Sequence, residues 1–325
     1  MANALNATFF AFRKREKGGV LLGATIAFVV VAVLMVGAFY ALNAQAIGDY
    51  FTWATSLGAN METGKPGAPP PSMDMMMPPQ SVMALGPMYL LFILFYYILL
   101  ASYEAACLKW MIRGETGGVF GLSLGADTWR VYFGYWMWFF LLIAFYIVIA
   151  IVAFGLAGSF FAVAGGDPAS NAAGGMALFI PVIVLALVLG LVYFAVRLAP
   201  ASATSIARRK FAFFDAWAVT KGRFWALFGA FVLLFLMLIV LCIVLSIGMG
   251  AMIGINAASQ VAESGQPQSA EGVFRMLSSP QVLVPIVAMY GTMLVASMVF
   301  YIALFGVNAR AALAAIEDGK IQAVA

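Results

Sequence analysis

The 325-residue chain contains no histidine, so the commonest general base, proton shuttle and metal ligand is missing. The remaining groups with chemical capacity are mostly cations. Arg197, Lys221 and Arg223 border apolar runs, and cations so placed can hold a lipid phosphate. Glu104 and Arg197 each lie near the end of an apolar run, and they can form an ion pair if their helices touch. A plainer reading leaves them as snorkelling or structurally paired side chains. Both readings stay open at this level. Asp127 and Asp215 each precede a Trp and a long apolar run, a position that favours helix capping. A lone carboxylate without a partner offers little acid–base chemistry.

Met73, Met75, Met76 and Met77 form the one metal-flavoured stretch. Thioethers suit Cu(I), yet no His or Cys joins them, and a flexible Pro/Met loop or a partner-docking segment explains them as well. Cys107 and Cys242 are isolated and lack a CxxC spacing, so they read as small buried hydrophobes. No P-loop, nucleophile elbow or dinucleotide turn occurs in a strand–helix setting. We therefore expect no metal, no cofactor and no enzymatic activity, because no convergent catalytic pair is visible.

The elements that carry these residues are membrane spans. Charged residues make up 9% of the chain and hydrophobic ones 65%, against about 25% charged in soluble domains. Apolar runs whose centres carry no charge predict six transmembrane helices over 18–42, 86–111, 132–163, 176–200, 224–255 and 280–306, each long enough for a hydrocarbon core of ~30 Å. Pro87 is expected at the start of the second. The first run exceeds a signal-peptide core and reads as an uncleaved helix. Residues 43–85 form the longest connection, with interfacial aromatics Tyr50, Phe51 and Trp53 followed by a Gly/Pro-rich part expected to be partly disordered. Gly250 and Gly254 permit close helix approach, within the bundle or between copies.

Six spans put both termini on one side. Fifteen of the seventeen Lys and Arg residues fall on that side, all but Lys65 and Arg275, so the positive-inside rule makes it cytoplasmic. Confinement of these cations to membrane borders argues for topology and headgroups over nucleic acid. The fold class expected is all-α: one polytopic membrane domain over 1–325.

An internal repeat organises that domain. Asp127, Trp129, Val131 and Gly134 match Asp215, Trp217, Val219 and Gly222 at one constant offset. Lys17-Gly18 matches Lys221-Gly222, and Tyr97-Ile98 matches Tyr301-Ile302, at a second shared offset. Three helical hairpins are expected, over 5–115, 125–205 and 211–320, each with a short amphipathic cytoplasmic lead-in. Aromatic-Lys-Gly strings are also what any interface selects.

Arg197-Leu198-Ala199-Pro200, then Ala216-Trp217 and Thr220-Lys221-Gly222-Arg223-Phe224-Trp225 with Leu227, resemble the membrane domain attached to some bacterial glycerophosphoryl diester phosphodiesterases. The stretch is also similar to related stand-alone six-helix inner-membrane proteins. The likeness is specific over 197–227 and elsewhere rests on hydropathy and helix number. The catalytic domain of such enzymes is a soluble barrel that uses histidine and metal-binding carboxylates, and it has no counterpart here. The resemblance implies a membrane-embedded, lipid-linked role in a bacterial inner membrane and does not imply phosphodiesterase activity. The function expected is a non-enzymatic integral membrane protein that interacts with membrane lipids or organises other membrane proteins. A transporter or channel for a lipidic or weakly polar solute is the alternative. Its midplane polar groups would be Tyr146, Ser246, Thr292 and Ser297.

Overall fold

The structure, a computed structural model, describes residues 4–13, 19–62, 77–164, 172–264 and 279–322. Apart from one isolated bridge between Val119 and Leu122, its regular structure among these residues is helical. The α-helices are α1 (Ala4–Thr8), α2 (Gly19–Leu42), α3 (Ala44–Glu62), α4 (Gln80–Arg113), α5 (Ala126–Ala164), α6 (Ala172–Leu198), α7 (Ala201–Ala207), α8 (Ala216–Thr220), α9 (Phe224–Ser264) and α10 (Pro280–Glu317), with a 3-10 turn at Phe10–Phe12. Six segments are long and apolar enough to cross a membrane: α2, α4, α5, α6 continuing into α7, α9 and α10. This is the all-α, six-span class that the hydropathy predicts.

The helices overrun the expected boundaries at their polar ends. α4 begins at Gln80, so Pro87 lies inside it. A proline is tolerated there because a membrane helix has other ways to satisfy one freed carbonyl. α5 takes in Asp127 and Trp129 as its first turns, and α10 runs on from Gly306 to Glu317 through an alanine-rich segment of high helix propensity. The 43–85 connection is not a loop over its first half, because α3 occupies Ala44–Glu62. There the hydroxyls of Thr52, Thr55 and Ser56 donate to carbonyls of their own helix, so the polar residues do not compete with helix formation. Met73, Met75 and Met76 lie outside the described residues, and Met77 is exposed.

The chain gathers into two compact units. One comprises 17–106 and 116–135. In it Tyr103, fully buried on α4, stacks on Phe28 of α2 at 4.8 Å, and its hydroxyl lies 2.9 Å from that of Thr25. Gly121 (φ +87°) approaches α2 so closely that a Cβ would sit 3.1 Å from the Ala24 nitrogen. Glu104 is buried and accepts a hydrogen bond from the Tyr135 hydroxyl.

The other unit comprises 1–16, 107–115 and 136–325. Its main core joins Ala7, Val196, Val219, Leu227, Phe231 and Val307 with their neighbours. A satellite core sets Phe213 and Ala216 against Leu198, with Trp138 packed beside them. The segments Asp127–Gly134 and Asp215–Gly222 are built differently. The first is continuous with α5, whereas the second forms α8, cut off from α9 at Gly222, whose φ of +79° is left-handed.

Among the described glycines of the larger unit, Gly306 makes the tightest approach. A Cβ there would lie 2.7 Å from the Ala11 Cβ and 2.8 Å from the Ala11 nitrogen, so the 3-10 turn rests directly on α10. We expect Gly306→Val to destabilise the protein by ~1–3 kcal/mol, the usual cost of overpacking, and to release the N-terminal segment to proteolysis at Arg13. Unchanged thermal unfolding in detergent would show that the turn does not dock on Gly306.

Candidate functional site

Arg197 occupies the last turn of α6. Its guanidinium carbon lies 5.2 Å from the ring centre of Tyr193, 5.3 Å from Trp217 and 5.6 Å from Phe224. Tyr193 is one turn back on the same helix, Trp217 comes from α8, and Phe224 opens α9. The rings also meet one another, Tyr193 with Phe224 at 5.3 Å and with Trp217 at 5.7 Å. Each ring face attracts the cation electrostatically, so one side chain ties three helices.

The local sequence dictates this box. In Phe211–Thr220 the apolar residues at helical spacing, Phe213, Ala216 and Val219, turn inward, whereas Phe211, Phe214 and Trp217 stay at least partly exposed. Thr220 then closes α8 onto α6. Its hydroxyl accepts from Arg197 Nη1 (3.4 Å) and lies 3.3 Å from the Arg197 carbonyl, to which it can donate. Gly222 turns the chain and α9 begins.

A second set of cations faces the same space from α9 and α10. Arg223 Nη2 donates to the Ala314 carbonyl (3.0 Å) and to Asp318 Oδ2 (2.5 Å). α10 ends in a Schellman turn, with Lys320 N–H on the Ala315 carbonyl and Gly319 N–H on that of Ile316, and Gly319 takes the left-handed φ of +69° that this requires. The turn brings Lys320 back, so that its Nζ donates to the Lys221 carbonyl (2.8 Å) and lies 3.3 Å from Asp318. Arg310 pairs with Glu317 at 2.7 Å.

Together these residues enclose a cavity of about 620 Å³ lined by Arg197, Arg223, Arg310 and Lys320, with Asp318 as its one carboxylate. Residues Gly222 to Leu227, which lead into and open α9, also line it, and the first turn of a long helix is a positive dipole end. Among the described residues, Arg197 Nε and Arg223 Nη1 are buried without a hydrogen-bond partner. Buried donors are nearly always paired in folded proteins, so these two nitrogens are exceptions within the packed wall of the cavity. It lies at the level where α6, α9 and α10 reach their charged ends, and its lining carries an excess of positive charge.

The other sequence candidates fall as follows. Lys221 is exposed, and it contributes to this assembly through its carbonyl. Asp215 stands at the N-cap of α8 but makes no side-chain cap bond there; its carboxylate pairs with Arg208. Asp127 sits in the first turn of α5 and pairs with Arg130. Among the described residues, a Cβ on Gly250 or Gly254 would meet nothing within 4 Å. Thr292 and Ser297 bond to carbonyls of their own helix, and Tyr146 is exposed. Cys107 and Cys242 are free thiols, the first buried. Sequence reasoning missed Arg310 and Asp318 because it ended the last helix at Gly306. The run from Val307 to Ala315, with Val307, Ala311 and Ala315 at helical spacing, was the signal that the helix continues.

Comparison of the chain with protein-family models, with curated proteins and with solved structures finds no match.

A double-mutant cycle tests the box. Arg197→Met and Trp217→Leu should each lower stability in detergent, and together by less than the sum, with a coupling of ~0.5–2 kcal/mol. Strict additivity would show that the cation and the ring do not interact.

Proposed function

We propose that this multi-pass protein is a non-enzymatic component of a bacterial inner membrane that binds the phosphate of a membrane lipid. The observation that carries the reading is the cavity at the charged ends of α6, α9 and α10, where four cations face one carboxylate. A phosphate supplies several strong acceptor oxygens, and charge-assisted bonds to guanidinium are among the stronger hydrogen bonds in proteins. Arg197 and Arg223 hold the anion, Arg310 and Lys320 supply field, and the first turn of α9 adds backbone N–H groups.

The distribution of Lys and Arg sets this border on the cytoplasmic side with both termini, where anionic lipid is attracted to basic residues at ~1 kcal/mol each. The likeness of 197–227 to the membrane domain of some glycerophosphoryl diester phosphodiesterases points the same way, toward lipid phosphate and away from catalysis. In the absence of a family match, the geometry of the cavity bears most of the weight.

Protein purified in mild detergent should retain phospholipid stoichiometrically, measured as organic phosphorus and by mass spectrometry of the intact complex. The double variant Arg197→Gln with Arg310→Gln should lose it, and added phospholipid should raise the melting temperature of the parent protein and leave that of the variant unmoved. Wild-type protein that carries no phospholipid and is not stabilised by any would overturn the reading.

A further inference from the structure

An apolar groove adjoins the cation cavity, and a second adjoins the first. The first, about 420 Å³, shares Arg197, Phe224 and Trp225 with it and continues along Leu189, Val192 and Phe228. The second, about 360 Å³, shares Val192 and Phe228 with the first and extends to Phe231, Phe235 and Leu304. All these residues stand on the spans α6, α9 and α10. At ~1.5 Å per residue, Phe235 lies roughly 16 Å along α9 from Phe224. The cations therefore stand at one end of a row of adjoining apolar grooves along the spans. An amphiphile with its phosphate at the border and its chain along that row matches both halves.

The charge pattern narrows the headgroup. A zwitterionic lipid needs a carboxylate or an open aromatic face for its ammonium group. The Asp318 carboxylate is already held by Arg223 and Lys320, and Glu317 by Arg310. The rings of Tyr193, Trp217 and Phe224 are already occupied by the Arg197 guanidinium. A choline or ethanolamine group brought here meets four cations, its carboxylate partners are taken, and the one exposed ring left to it on the cavity wall is Trp225.

We propose, building on the lipid-phosphate reading above, that the ligand is an anionic phospholipid whose headgroup carries no positive charge. Its phosphate lies between Arg197 and Arg223, and one acyl chain lies in the groove between α6 and α9. The site is thus a selector of headgroup charge as well as a lipid anchor.

The test uses the full chain, delipidated in detergent, and phospholipids of identical acyl chains bearing phosphatidate, phosphatidylglycerol or phosphatidylcholine headgroups, with inorganic phosphate as the soluble arm. Binding is read by native mass spectrometry and by thermal shift. The two anionic lipids should bind about tenfold or more tightly than phosphatidylcholine, as two or more unbalanced cations at a membrane border imply. Arg310→Gln should shrink that ratio. Ala195→Phe, which fills the groove, should weaken lipid binding and leave the response to inorganic phosphate unchanged. Val232→Trp, on the same groove, serves should the first variant fail to fold.

Equal binding of all three lipids, still lost in Arg197→Gln, would overturn the headgroup selection and spare the lipid-phosphate reading. Inorganic phosphate binding as tightly as lipid, with Ala195→Phe and Val232→Trp without effect, would make the ligand a soluble phosphate compound and overturn the groove. No binding by any probe would overturn both readings.

Discussion

The larger unit depends on how one cation is kept at the end of a membrane span. Arg197 is too costly to bury alone and lies too deep among rings to be freely hydrated. The structure resolves this by surrounding it with the faces of Tyr193, Trp217 and Phe224 and one hydroxyl from Thr220. Because those groups come from α6, α8 and α9, satisfying the cation also fixes where α8 lies and where α9 begins. Arg223 repeats the device one step along, capping the carbonyl of Ala314 near the C-terminal end of α10 while pairing with Asp318. A helix C-terminus favours such a cation, so both arginines act as fasteners before either can act as a ligand.

Packing in this unit is concentrated at those charged ends. Buried residues cluster from Val196 to Thr220, at Leu227 to Leu234 and from Ala303 to Ala315, whereas the outer stretches of α6 and α9 expose Val184, Leu185, Val240 and Ile247. In lipid such exposure costs nothing, since hydrocarbon solvates these side chains as well as protein does. Specificity has to come from the polar border, where water, headgroups and backbone termini compete. The small residues of α10 (Ala303, Gly306, Ala311, Ala315) let its neighbours approach closely enough to build that border.

Much of the fold was legible in the sequence, because six charge-free runs longer than 18 residues admit few alternatives. The site was half legible. Arg197 and Arg223 stand out as cations beside apolar runs, and Trp217 and Thr220 as part of a distinctive string. The contribution of α10 was hidden because a hydropathy reading ends a span where alanine and arginine begin, although an alanine-rich helix continues well beyond the membrane border. Asp215 misled for a different reason. Capping is a local rule, and Arg208, seven residues away, took the carboxylate. The glycines at 250 and 254 permit close packing without requiring it, and among the described residues no neighbour lies against them. The ring box could not be read at all, since no local pattern says that Tyr193, Trp217 and Phe224 converge on one guanidinium.

The rest of the 3-10 turn on Gly306 and of Ala7 on the α9–α10 pair has a consequence for biogenesis. The contacts of this N-terminal segment are with the last two spans, α9 and α10, so their sequence separation is very high, and those on α10 cannot form until that span has been synthesised. Ribosome and translocon deliver the N-terminal segment first, yet it docks last, after every intervening helix has been inserted. Closure of the charged border is therefore a post-translational event, and a chain truncated before α10 would hold its spans in the bilayer with the border still open.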